Sequence, residues 1–124
     1  MTNYQQGIEV LMKLAGDKGK QAVADLHAFS PDLARLIIEF GFGEIYSRPV
    51  FDLKQRELIT LSSLITQGAG EVTLGFHFNS ALNIGITMEE LIEIIFHCAG
   101  YAGVPCAVSA MHILKKVAEQ RECI

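Results

Sequence analysis

The sequence predicts an all-α protein of six to seven helices that pack into a compact domain. Three observations predict it. Apolar residues recur at three- and four-residue spacing along nearly the whole chain. Glycines, prolines and short polar clusters interrupt that spacing at intervals. No run alternates apolar and polar residues for long enough to make a strand.

Each element has its own signal. Ile8, Leu11, Met12 and Ala15 form the first stripe, which Gly16 ends. Val23, Ala24 and Leu26 mark a second, short helix. Ser30-Pro31-Asp32 starts a third, with Ser30 suited to the N-cap and Pro31 to the first helical position. Leu33, Leu36, Ile37 and Phe40 are its stripe, and Arg48-Pro49 breaks it, because the residue before proline avoids helical geometry. Asp52 and Gln55 make a capping-box variant for the fourth helix, which carries Leu58, Leu61, Leu64 and Ile65 up to Gly68-Ala69-Gly70.

The fifth helix holds Val72, Phe76, His77 and Ala81 and stops at Gly85. Thr87 caps the sixth, and Glu89 and Glu90 suit its positive end. Gly100 to Pro105 interrupts. A last helix is expected from about Cys106 to Glu122, with Lys115 and Lys116 near its negative end.

The sixth helix stands apart. Leu91, Ile92, Ile94, Ile95 and Phe96 make it apolar almost all round, the pattern of a helix buried on most sides. The chain has 124 residues, half of them hydrophobic, and its mean hydropathy is positive. A chain this short cannot hide so much apolar surface in one core, so subunits are expected to cover it for one another.

The length suits a single domain over residues 1–124. The net charge of −4 argues against a nucleic-acid partner, which calls for a basic patch. No long uncharged apolar window suggests a membrane span, and the N-terminus lacks the pattern of a secretory signal. The expected location is cytoplasmic. Cys98, Cys106 and Cys123 are odd in number and none pairs at redox or zinc spacing, so they read as reduced thiols.

Few polar groups sit inside the apolar helical segments. His77 lies between Phe76 and Phe78. It is either a histidine satisfied by one partner or a group that moves protons near neutral pH. No second histidine or cysteine stands close enough for zinc. Glu93, His97 and Tyr101 recur at four-residue spacing along one side of the sixth helix. They either line a pocket or lie at a subunit contact. Arg56, beside Glu57, and Arg48, before Pro49, are each a candidate fork for a substrate carboxylate or an ordinary ion-pair member. His27 and His112 have generic surroundings. No phosphate loop or serine-hydrolase pattern is present.

Together these residues resemble the carboxymuconolactone decarboxylase family, within the alkylhydroperoxidase-like superfamily. The matching elements include Phe40-Gly41 to Glu44, Ser47-Arg48-Pro49, Asp52-Leu53 and Arg56-Glu57-Leu58. They continue through Glu71, His77, Ala81, Gly85, Glu89-Glu90, Glu93, His97, Tyr101-Ala102-Gly103 and Pro105. Val50-Phe51 departs from the family's more usual Gly-Leu. The resemblance implies an all-helical subunit in a ring, commonly a homohexamer.

It also implies two chemistries. One branch decarboxylates 4-carboxymuconolactone. The other runs a thiol pair seven and four residues before the histidine, where this chain has Gly70 and Thr73. Without thiols there, no disulfide cycle can run at that site. The resemblance therefore points to a small anionic lactone as substrate and to no metal or organic cofactor. In that reading His77 is the proton donor, with Glu57 orienting or reprotonating it. Arg48 or Arg56 holds a carboxylate and Tyr101 donates to the lactone, with Glu93 and His97 as further candidates to line the site. A non-catalytic or ligand-sensing oligomer is the first alternative, and a thiol-dependent alkylhydroperoxidase-like antioxidant protein, disfavoured by Gly70 and Thr73, is the second.

Overall fold

The computed structural model describes residues 1–122. Cys123 lies outside the described residues. The chain divides into two compact units, Met1–Leu53 and the part from Lys54 onward. All regular structure among the described residues is helical.

In the N-terminal unit, α1 spans Asn3–Phe29 and α2 spans Pro31–Leu36. Gly16 breaks α1 with φ 59°, so the two stripes expected on either side of it are two helical limbs of one element. Thr2 caps α1 in a capping box with Gln5. Pro31 sits in the first turn of α2, but the Ser30 side chain makes no capping hydrogen bond, contrary to its expected role.

From Ile37 to Ile45 the helix widens into a π-helical segment. This was not legible in a stripe read at the α-helical period. Two glycines let the segment approach α1 closely. A Cβ on Gly7 would meet the Ile38 carbonyl, and one on Gly43 would meet the Asn3 carbonyl. Val10, Leu11, Leu14, Ala34, Ile38, Phe42 and Tyr46 are buried in this unit. Phe42 and Tyr46 meet edge to face at 5.6 Å.

The second unit holds α3 (Leu53–Gln67, whose first residue closes the N-terminal unit), α4 (Glu71–Asn83), α5 (Met88–Ala102) and α6 (Val104–Gln120). Leu61, Ile65, Leu74, Phe78, Leu91, Ile95, Ala110 and Leu114 are central to its core. Only Gly103, with φ 103°, separates α5 from α6. The interruption expected over Gly100 to Pro105 is therefore shorter. Pro105 falls in the first turn of α6, where a missing N–H costs no hydrogen bond.

The sixth helix of the sequence reading, α5, is not buried on most sides within the chain. Leu91, Ile95 and Cys98 face the core, while Ile92 is exposed and Phe96 is 74% exposed. Composition showed the apolar residues but not the one-sided packing, because periodicity cannot separate two faces that are both apolar.

Thr87 caps α5 as expected, in a capping box with Glu90 at 2.9 and 3.0 Å. The Thr87 backbone N–H, then its side chain and the nearby Lys54, hold the Glu90 carboxyl below its ordinary range. Thr87→Ala is expected to lower unfolding stability by about 1 kcal/mol in urea titrations. The pH dependence has a definite sign. A carboxyl with a lowered folded value stabilises the fold above its unfolded titration range, and that contribution disappears as pH falls through the folded value. The stability gap between wild type and Glu90→Gln should therefore close on acidification. No helix of the described residues is long and apolar enough to cross a membrane.

Candidate active site

The buried stripe of α3 is Glu57, Leu61 and Ile65, at four-residue spacing. Glu57 thus occupies a position that the helical pattern would give to an apolar residue. Its side chain is fully buried. A buried carboxylate is costly unless it is paired and hydrogen-bonded.

His77 is a partner. On α4, Leu74, Phe78 and Ala81 face the core, and His77 lies on the flank of that stripe with its side chain 14% exposed. Its Nδ1 stands 3.0 and 3.1 Å from the two carboxylate oxygens of Glu57. Nδ1–H donating to the carboxylate fixes the tautomer and leaves Nε2 as the nitrogen not engaged by Glu57. The Phe76 ring meets the imidazole edge to face at 5.2 Å. The arrangement suits proton transfer: one imidazole face is held by a buried acid group, and one ring nitrogen is left for chemistry.

Arg56 is partly buried on α3, next to Glu57 in sequence. Arg48 is exposed in the N-terminal unit, just beyond the π-helical segment. Glu93 and His97 line a shallow groove of about 320 Å³ with Leu58, Ser62, Glu90 and Ile94. His77 is not among its lining residues. Tyr101 is 87% exposed, and its ring stacks on that of His97 at 5.2 Å. The four-residue spacing thus places these three on one side of α5, as expected, but it is the exposed side. Two carboxylates in the groove make it unfavourable for an anion.

Gly70 and Thr73, where a thiol pair would stand, are the N-cap and first turn of α4. Cys98 is buried and Cys106 partly buried, both as free thiols. Among the described residues, no three His, Cys, Asp or Glu side chains converge as metal ligands. Sequence reasoning passed over Ser80, which is fully buried on α4.

The model of the carboxymuconolactone decarboxylase family matches residues 31–116. A 4-carboxymuconolactone decarboxylase of Acinetobacter baylyi is 36% identical over 92% of this chain and 85% of its own length. The chain belongs to the carboxymuconolactone decarboxylase family. A nitrosuccinic acid decarboxylase of Metarhizium robertsii is 34% identical over 91% of this chain and 79% of its own. An uncharacterised 15.0 kDa protein of Paracoccus denitrificans is 33% identical over 74% of this chain and 70% of its own. The family match takes in α2 to α5 and part of α6, so Glu57 and His77 both lie inside it.

Proposed function

We propose that this protein is a decarboxylase of small carboxylic acids whose departing carboxylate sits beside a built-in electron acceptor. The observation that carries the reading is the buried Glu57 bound to His77 Nδ1 in a chain of this family. The two characterised relatives are named for substrates with one feature in common. In 4-carboxymuconolactone the acceptor is the conjugated lactone carbonyl. In nitrosuccinic acid it is the nitro group. Each compound also keeps a second carboxylate after the first has left.

The step balances without a cofactor. The carbon–carboxylate bond breaks, carbon dioxide leaves, and the electron pair enters the acceptor as a dienolate or nitronate. His77 Nε2 then delivers a proton to carbon and regains one from water. Glu57 holds the ring and stabilises its protonated form through Nδ1–H. An arginine pairs with the second carboxylate, and Arg56, next to Glu57 in sequence, is the candidate. The first substrate to test is 4-carboxymuconolactone, because its decarboxylase is similar over most of both chains. Loss of its ultraviolet absorbance, with matching carbon dioxide release, is the expected result. No turnover of either acid would count against the reading.

We also propose that the working form is a cytoplasmic homo-oligomer, with a hexamer as the expected state. Ile92 and Phe96 present an apolar face on α5 that the chain itself leaves exposed. Light scattering at micromolar concentration should give an assembly several times the 13.6 kDa subunit mass. A stable monomer would refute this.

A further inference from the structure

Glu57 binds the His77 ring at Nδ1, through both carboxylate oxygens at 3.0 and 3.1 Å. Phe76 meets the same imidazole with ring centroids 5.2 Å apart and ring planes at 79°. That separation lies in the favoured range for an edge-to-face aromatic pair, about 4.5–7 Å. The contact is not a by-product of adjacency in the chain. Successive residues on a helix do not face each other, so the two rings meet only because their side chains turn toward each other.

The two contacts restrain different things. Glu57 holds one atom of the ring. A hydrogen bond tolerates about 30° of bending before it weakens, and the torsion that turns an imidazole about its Cβ is broad. A tilt of that size carries Nε2, on the far side of the ring, through about 1 Å, enough to matter for a transfer step. An aromatic ring packed nearly at right angles to the imidazole opposes the tilt, because tilting closes the gap at one edge and opens it at the other. Phe76 is partly buried and lines a cavity of about 230 Å³ between α4 and α6, with Ile113 and Val117 among its walls. Shortening Phe76 would widen that cavity and take the wall from the imidazole.

We propose that Phe76 is a positioning residue for His77. Its ring holds the tilt of the imidazole, so that Nε2 stays aligned for proton delivery while Glu57 holds Nδ1. Phe76 acts through His77 and does not touch the substrate. The kinetic part of this inference rests on the decarboxylase reading, and the part that concerns the ring does not. A Phe76 that merely fills space predicts something else. Its substitution would then lower stability and leave the motion of an imidazole anchored by Glu57 unchanged.

Phe76→Leu and Phe76→Tyr are compared with wild type by ¹³C relaxation of the His77 ring, by thermal unfolding, and by kcat and KM on 4-carboxymuconolactone. Phe76→Leu should lower the order parameter of the His77 ring C–H bonds. It should also reduce kcat about two- to tenfold, the scale of one aromatic pair, with KM within about twofold. Phe76→Tyr keeps a ring at the contact and should hold both quantities near wild type. In a His77→Gln background, Phe76→Leu should cost nothing further in rate, since Phe76 acts only through the imidazole. Phe76→Met, with a flexible side chain that adapts to irregular space, takes the place of leucine if the leucine variant does not fold.

An unchanged ring order parameter in a folded Phe76→Leu or Phe76→Met protein would overturn the proposal. So would a rate loss that recurs in full in the His77→Gln background, or one that Phe76→Tyr shares. A wild type without decarboxylase activity would sink the functional reading alone, and the relaxation of the His77 ring would still decide the role of Phe76.

Discussion

His77→Gln is expected to lower kcat for decarboxylation by about 10²- to 10⁴-fold, the usual cost of losing a positioned general acid, with the fold intact. The choice of glutamine follows from the site. Glu57 is fully buried and within 3.0 Å of His77 Nδ1. Removing one partner of a buried pair costs about 3–5 kcal/mol, because the other charge loses its compensation. Alanine at position 77 would therefore confuse a lost proton donor with a damaged core. The glutamine amide still offers an N–H to the carboxylate, but it cannot exchange a proton near neutral pH. Rates of carbon dioxide release from wild type and His77→Gln, with helicity compared by circular dichroism, make the test. Equal rates would remove His77 from the mechanism and return attention to His97 and Tyr101.

The pairing of Glu57 with His77 was within reach of the sequence for a local reason. A charged residue in register with Leu61 and Ile65 has to be buried with them, and a buried carboxylate needs a partner. What no spacing rule supplies is which helix brings that partner, 20 residues away in the chain. The case of α5 is different. Its apolar residues were legible, as was the single side shared by Glu93, His97 and Tyr101. The exposure of that side was not, because Ile92 and Phe96 look as buried in a pattern as Leu91 and Ile95 do. Helix ends were read best where a side chain does the capping, as at Thr87. They were read worst where backbone geometry alone decides, as at Gly103 and in the π-helical segment.

That segment gives the second large effect. Gly43→Ala and Gly7→Ala should each destabilise the protein by about 1–3 kcal/mol or more, the range for forcing extra atoms into a packed site. The new methyl at position 43 would run into the Asn3 carbonyl, and the one at position 7 into the Ile38 carbonyl. Both obstacles are backbone, so a change of side-chain rotamer cannot clear them. α1 and the π-helical segment would have to separate, opening the contact that buries Leu11, Ile38 and Phe42. Gly41 is the internal control. It lies in the same helical segment, and a Cβ there meets nothing within 4 Å. Gly41→Ala should therefore be neutral or stabilising by about 0.5–1 kcal/mol, because alanine loses less backbone freedom on folding than glycine does. Urea unfolding of the three variants compares the two causes directly. If all three shift alike, helix propensity governs the segment. If positions 7 and 43 fall while 41 holds or rises, close backbone approach is what these glycines provide.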